Sequence, residues 1–204
     1  MFSNSIKLLL SASLVCATVN AATIFNFDTD NPGAVTTFTD TVNGLSATFS
    51  SSADPGGFVI YQTDVFDTLT GNVLGEPGPA GMDNLALDIH FDKDLSAITL
   101  NFVTTDFNTP SPFTLAAYRN STLVGSNTLP GQFIPGFVFP EGEIAFVGRP
   151  FNNVVLTSTA TDFAVDNIAV AAATAPEPGT LVLVGAGLMI VGLAGRARRR
   201  NVRG

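Results

Sequence analysis

Tryptophan is absent from this chain, tyrosine occurs twice, and histidine and cysteine once each. The lone thiol, Cys16, lies in an apolar N-terminal stretch, so a chain processed behind that stretch carries none. Disulfides, thiolate metal sites, Cys nucleophiles and thiol redox chemistry are thereby excluded. With His90 alone and no Gly-x-Ser-x-Gly elbow, acyl transfer has no constellation to run on. Sugar recognition by ring stacking is left with two candidate residues, Tyr61 and Tyr118.

Basic residues are missing from the middle. Lys7 stands near the start and Arg196, Arg198, Arg199, Arg200 and Arg203 at the end, leaving Lys93, Arg119 and Arg149 between. All seventeen acidic residues lie from Asp28 to Glu177, so this region carries 3 − 17 = −14. Such a surface repels phosphate backbones, which excludes nucleic acid as a partner and leaves neutral ligands and divalent cations.

Both ends read as addresses. "MFSNSIKLLLSASLVCATVNAAT" places Lys7 before an apolar core from Leu8 to Val19 and small residues at Ala21 and Ala22, the pattern of a secretory signal with cleavage after Ala21. Export by the Sec translocon and a signal peptidase follows. At the other end, Thr180 to Ala194 is uncharged and glycine-rich, with small residues at Gly185, Gly187, Gly192 and Gly195. Fifteen to seventeen helical residues cover roughly 22–26 Å against a hydrocarbon core of about 30 Å, and the arginines after them can snorkel to the headgroups. The arginine cluster places that end in the cytoplasm and the acidic body outside.

Pro176-Glu177-Pro178, then Gly179, a short apolar segment and terminal "RARRR" resemble the PEP-CTERM sorting signal of exopolysaccharide-producing Gram-negative bacteria, a segment also called the ice-binding protein C-terminal domain. The resemblance implies recognition and cleavage near the tripeptide by an exosortase, a membrane-embedded cysteine transpeptidase-like enzyme, with this chain as substrate. It further implies an inner-membrane intermediate with the body periplasmic, then delivery to the cell surface or extracellular matrix. The prolines hold an extended backbone that a protease can reach, and "AVAAATAPEPG" reads as a small-residue linker.

Between these ends, period two dominates. Leu85, Leu87, Ile89 and Phe91 alternate with Ala86, Asp88, His90 and Asp92, and Ile98, Leu100 and Phe102 repeat the pattern after "DKDL". The two runs are expected to form a hairpin, and "FTLAAY" with "TLVGSNTL" a second. Nine or ten strands in all predict an all-β, antiparallel β-sandwich, with "DTLTGNVLGEPGPAGMDN" as a long surface loop. In "DFAVDNIAV" the inward parity passes from Phe163 and Val165 to Ile168 and Val170, which calls for a β-bulge near Asp166-Asn167. The expected organisation is a signal helix at 1–21, sandwich at 22–170, linker at 171–179, a single transmembrane helix at 180–195 and a basic tail at 196–204.

The strand order resembles the jelly-roll modules, related to carbohydrate-binding domains, that often precede this sorting signal. The resemblance implies a structural calcium ion held by ligands from near both chain ends, with Asp28 and Asp166 as the first pair, against an Asx-turn and a bulge-side carboxylate. "FDTDNPG" departs from the EF-hand loop, having Pro32 at the fifth position and Thr39 at the twelfth. Asp88, His90 and Asp92 share one strand face, which diverges ligands and reads as a solvated face. Glu141 and Glu143 are the glycosidase carboxylates to consider, with nothing in the sequence to make a pocket. Thr157, Thr159 and Thr161 suggest one strand face, as on flat ice-binding surfaces or ordinary solvent-side strands. A non-enzymatic surface or exopolysaccharide-matrix protein is expected, with a carbohydrate-binding module or a polysaccharide hydrolase as alternatives.

Overall fold

The computed structural model describes residues 22–35, 37–51, 57–75 and 86–173. The expected signal, sorting motif, membrane run and basic tail lie outside the described residues, as does Leu85. Among the described residues there are twelve β-strands, all pairings are antiparallel, and no helix is long and apolar enough to cross a membrane.

Two long strands organise the fold. β7 (Leu87–Thr104) and β11 (Pro140–Ser158) pair with each other along both arms, with register shifts between Val147 and Asn153. On one side of this bend, Leu87 to Phe91 pairs with β4 (Leu45–Ser51), itself paired with β3 (Thr37–Val42). There the second arm of β11 pairs with β8 (Pro112–Arg119), which carries β9 (Thr122–Pro130). Beyond the bend, Leu95 to Thr104 pairs with β12 (Phe163–Ala172), followed outward by β6 (Gly71–Gly75), β5 (Phe58–Thr63) and β2 (Gly33–Val35). β1 (Thr23–Phe25) also lies on β12, and β10 (Gln132–Phe133) on β11.

The hairpin expected across "DKDL" is therefore replaced by one continuous strand. Leu87, Ile89, Phe91 and Leu95 are buried on one parity and Ile98, Leu100 and Phe102 on the other, so the strand changes parity as it bends and keeps its apolar side inward. "EIAFVG" and "NVVLTST" likewise fuse into β11. The second expected hairpin forms as β8 and β9, and the bulge appears where predicted: pairing skips from Asp166 to Ala169, with Asn167 at φ 52°. The long loop is only partly a loop, because Gly71–Gly75 is a strand and Val73 and Leu74 are fully buried. Tyr61 pairs opposite Val73, giving that stretch a ladder that composition alone conceals.

The two arms face one another through phenylalanine. Phe102 stacks on Phe113 at 4.3 Å and 6°, while Phe163 meets Phe113 edge-on at 5.2 Å and Phe25 meets Phe49 at 6.4 Å. These contacts join β7, β12 and β1 to β8 and β4, so the single continuous sheet closes on itself as a sandwich. A second, smaller cluster of Phe66, Leu69, Val73, Val103 and Ala164 lies outside the main core. Residues 64–70 form a strap that covers this part of the outer face.

Candidate functional site

The register decides which polar residues share a surface. His90 and Tyr118 both pair opposite Asn153, so the three lie side by side across β7, β11 and β8, with side chains away from the core. Val155 is the next outward residue of β11. Together with Asn120, Ser121 and Asn152 they line a cleft of about 470 Å3. None of these side chains is an acid, a lysine or an arginine. The cleft offers one phenol ring, three amides, a hydroxyl and an imidazole, a set suited to a neutral, hydroxyl-rich ligand.

The rim is fixed by an amide clasp. Asn120 N donates to Asn152 Oδ1 at 3.0 Å, and Asn152 Nδ2 donates to Asn120 Oδ1 at 3.2 Å. Asn120 and Ser121 have φ of 53° and 75°, the left-handed pair demanded by a two-residue hairpin turn. Serine is a poor residue for that conformation, so the clasp offsets a local strain. At the floor, the Asn153 amide is oriented by its partners: its nitrogen donates to Asp88 Oδ1 at 2.8 Å and to Ile89 O at 3.2 Å. Sequence reasoning singled out Tyr118 but missed Asn120, Asn152 and Asn153, whose only sequence signal was "RNST" in a turn and "NN" in a strand.

Tyr61 stands elsewhere. It packs against the cluster under the strap, where burial, and then the negative charge of Asp162, push its phenol up to about 12. Asp88, His90 and Asp92 all face outward, but Asp92 accepts from Ser46 N at 2.9 Å while Asp88 serves Asn153. Among the described residues no three His, Cys, Asp or Glu side chains converge as a metal set. Thr157 lies on β11, whereas Thr159 and Thr161 follow the strand end at Ser158, so the expected row of three on one strand is not formed.

Glu141 is 2% exposed and engaged at both oxygens: Asp67 N reaches Oε1 at 2.8 Å, while Thr68 N and Oγ1 reach Oε2 at 2.7 and 2.6 Å. It anchors the strap to the sheet, helped by Asn101 Nδ2 donating to Thr68 O at 3.2 Å. Glu143 is exposed. Neither residue lines the cleft.

Asp28 and Asp166 approach one another at the other end of the strap. Asp166 is 2% exposed, its Oδ2 accepts from Asn167 Nδ2 at 3.0 Å, and its Oδ1 has no partner among the described residues. Burial pushes its carboxyl up to about 6, the charge of Asp28 adds to this, and the backbone N–H groups of Asn167 and Thr70 pull the other way. Asp28 Oδ1 accepts from Asn72 N at 3.0 Å and sits over the Cα of Gly71. Asp30, two residues on, has a buried and unpartnered Oδ2, and its carboxyl is raised by burial and by Asp40. The fit to a hard cation rests on the orphaned Asp166 oxygen. In kind the donors match calcium; in number, backbone carbonyls and water would have to complete six or more ligands.

No curated protein matches the chain. Among solved structures it is similar to two cleaved adhesin domains of Lys-gingipain. One, from Porphyromonas gingivalis, shows 10% identity over 76% of this chain and 100% of that one, at a TM-score of 0.45. The other shows 14% identity over 74% and 99%, at 0.43. A family 11 carbohydrate-binding module of a Clostridium thermocellum cellulase shows 12% identity over 76% and 97%, at 0.37. Residues 174–200 match the PEP-CTERM protein-sorting motif, and Pro176-Glu177-Pro178 and Arg196, Arg198, Arg199 and Arg200 fall within that range. The chain thus carries, behind an antiparallel all-β body, a PEP-CTERM protein-sorting motif.

Proposed function

We propose that this is an exported, exosortase-processed protein of the cell surface or exopolysaccharide matrix, whose body binds a neutral glycan in the cleft beside Tyr118. In this reading residues 1–21 direct export and are removed. Arg196, Arg198, Arg199 and Arg200 stop transfer, the 180–195 run tethers the chain in the inner membrane, and processing near Pro176-Glu177-Pro178 frees the body. The observation that carries the binding role is the 470 Å3 cleft, where a partly exposed ring adjoins amides held in fixed orientation. The phenol face supports a sugar ring and the amides of Asn120, Asn152 and Asn153 meet its hydroxyls. A lining without lysine or arginine side chains favours a neutral polymer over an anionic one.

The test is calorimetric titration of the purified protein with a panel of neutral and uronic-acid polysaccharides. Saturable binding to a neutral polymer, weakened at least about tenfold by Tyr118→Ala as loss of a stacked aromatic hot spot predicts and kept by Tyr61→Phe, is expected. Equal affinity of Tyr118→Ala and the parent, or no binding across the panel, sinks the reading and leaves a matrix protein without a glycan site. Sorting is tested separately by mass spectrometry of the exported protein, whose C-terminus should fall near Glu177, and which should keep the 180–195 run when Pro176-Glu177-Pro178 is replaced by alanines.

The orphaned Asp166 oxygen favours a second role, a calcium ion held by Asp28 and Asp166. The ion would neutralise two carboxylates that otherwise repel, stiffening the junction of the first residues of the body with β12 and β6.

A further inference from the structure

The turns gathered at one end of the sandwich have an unusual charge. Leu95 pairs with both Phe151 and Ala172, so the bends of β7 and β11 lie beside the end of β12. Thr23 pairs with Val170, which brings the start of β1 to the same end. Asn120 is clasped to Asn152, Arg119 Nη2 meets Asp94 Oδ2 at 2.6 Å, and Lys93 Nζ donates to Gly44 O at 2.5 Å, drawing the β8–β9 and β3–β4 turns into the group. Both chain ends therefore leave the body from one pole. That pole holds Lys93, Arg119 and Arg149, all exposed, which are every basic residue between Asp28 and Glu177. Of the seventeen acids, only Asp92 and Asp94 share these turns. Exposed aliphatics stand close by: Val147 (78% exposed) just before the β11 bend, Ile24 (50%) on β1, and Leu123 beside the β8–β9 turn.

We infer that this pole is a docking surface for anionic phospholipid headgroups, and that it faces the bilayer while the protein is tethered. The inference rests on the reading of 180–195 as a membrane segment. Chain length supports it: only residues 174–179 separate the last described residue from that run, and six residues span about 20 Å when fully extended. The body is therefore kept within about 20 Å of the bilayer, within reach of contact, and what remains open is which side it presents. Sides that carry the other acids are repelled by the headgroups within a Debye length of about 8 Å, and the β8–β9 edge, which has no acid, offers no cation except Arg119 at the pole itself. The basic pole brings cations, each strengthening association with an anionic surface by about fivefold. Asp92 and Asp94 offset part of this, so free body would bind weakly. A tether supplies a local concentration in the millimolar range, at which a weak preference is enough to set orientation.

The test uses the full chain with Cys16→Ser, so that an introduced cysteine is the only labelling site, reconstituted in vesicles of neutral lipid or of neutral lipid with phosphatidylglycerol. A fluorophore is placed at Val147→Cys, on the basic pole, or at Phe107→Cys, in the exposed loop beyond the far end of β7. Quenching by spin-labelled headgroups is read for each. Strong quenching at 147 and weak quenching at 107 in anionic vesicles is expected, with the contrast reduced in neutral vesicles and in 1 M salt. Lys93→Glu with Arg149→Glu, at about fivefold for each cation lost, should weaken the preference for position 147 by about 25-fold or more, with folding checked by the melting temperature. Equal quenching at both positions, or a ratio indifferent to the double charge reversal, overturns the docking surface while leaving the tether intact. A chain that fails to enter vesicles at all overturns the tether as well.

Discussion

Replacing Asp166 by Asn tests the junction of strap, first loop and β12 directly. In the folded protein this carboxyl is pushed up to about 6, chiefly by burial and also by Asp28, against an ordinary value of 3.8. A difference of about two units is worth ~3 kcal/mol at about 1.36 kcal/mol per unit. Because the folded form holds the proton more tightly than the unfolded chain, this contribution is fully present below about pH 4, declines as pH rises, and is gone above about pH 6. At about 2–4 °C per kcal/mol for a body of this size, the group alone should lower the melting temperature by about 6–12 °C between pH 4 and pH 7 in chelator. The informative quantity is the parent-minus-variant difference, which cancels every group the two proteins share. Asp166→Asn should lack this decline and should exceed the parent above pH 6 in chelator. Calcium should restore the parent and leave the variant unchanged. A parent-minus-variant difference that is flat from pH 4 to pH 7 in chelator would falsify the assignment of a buried, repelled carboxylate. Absence of any calcium effect on the parent removes the cation alone.

Other substitutions probe the same frame. Glu141→Gln turns an amide NH2 toward N–H donors of the strap, and should cost about 2–3 kcal/mol in urea unfolding while leaving glycan titration unchanged. A polysaccharide-hydrolase activity abolished by this variant, with folding intact, would contradict its role as an anchor. Gly71→Ala places a Cβ 2.0 Å from Asp28 Oδ1 at a φ of +79°, so it should destabilise by more than about 1 kcal/mol and weaken any calcium response. Asn152→Ala removes the clasp on the Asn120-Ser121 turn and should cost about 1 kcal/mol. Ser121→Gly, which takes the left-handed conformation freely, should restore most of that loss; no recovery in the double variant would mean that the turn is not the strained element.

The sequence alone was enough for features that depend on near neighbours. Alternation of apolar residues marked the strands, because a pleated chain buries every second side chain against a common core. The parity change between Val165 and Ile168 located the bulge, since an extra residue is the only way to keep both pairs inward. The order of tripeptide, apolar run and arginines identified the sorting motif, because an address is read from the chain itself. Tertiary structure decided the rest. "DKDL" has the composition of a turn, yet β4 and β12 pair along its two flanks and make it a bend in one strand. Glu141 reads in sequence as one of two closely spaced carboxylates of the kind a glycosidase uses, and only the strap, some seventy residues earlier, folding over it makes it an anchor. The cleft draws His90, Tyr118, Asn152 and Asn153 from three strands, and a register, unlike an alternation, is set by pairing between segments far apart in the chain. The same holds for the basic pole: Lys93, Arg119 and Arg149 are scattered in sequence, and only antiparallel strands that turn at a common level bring their charges to one end.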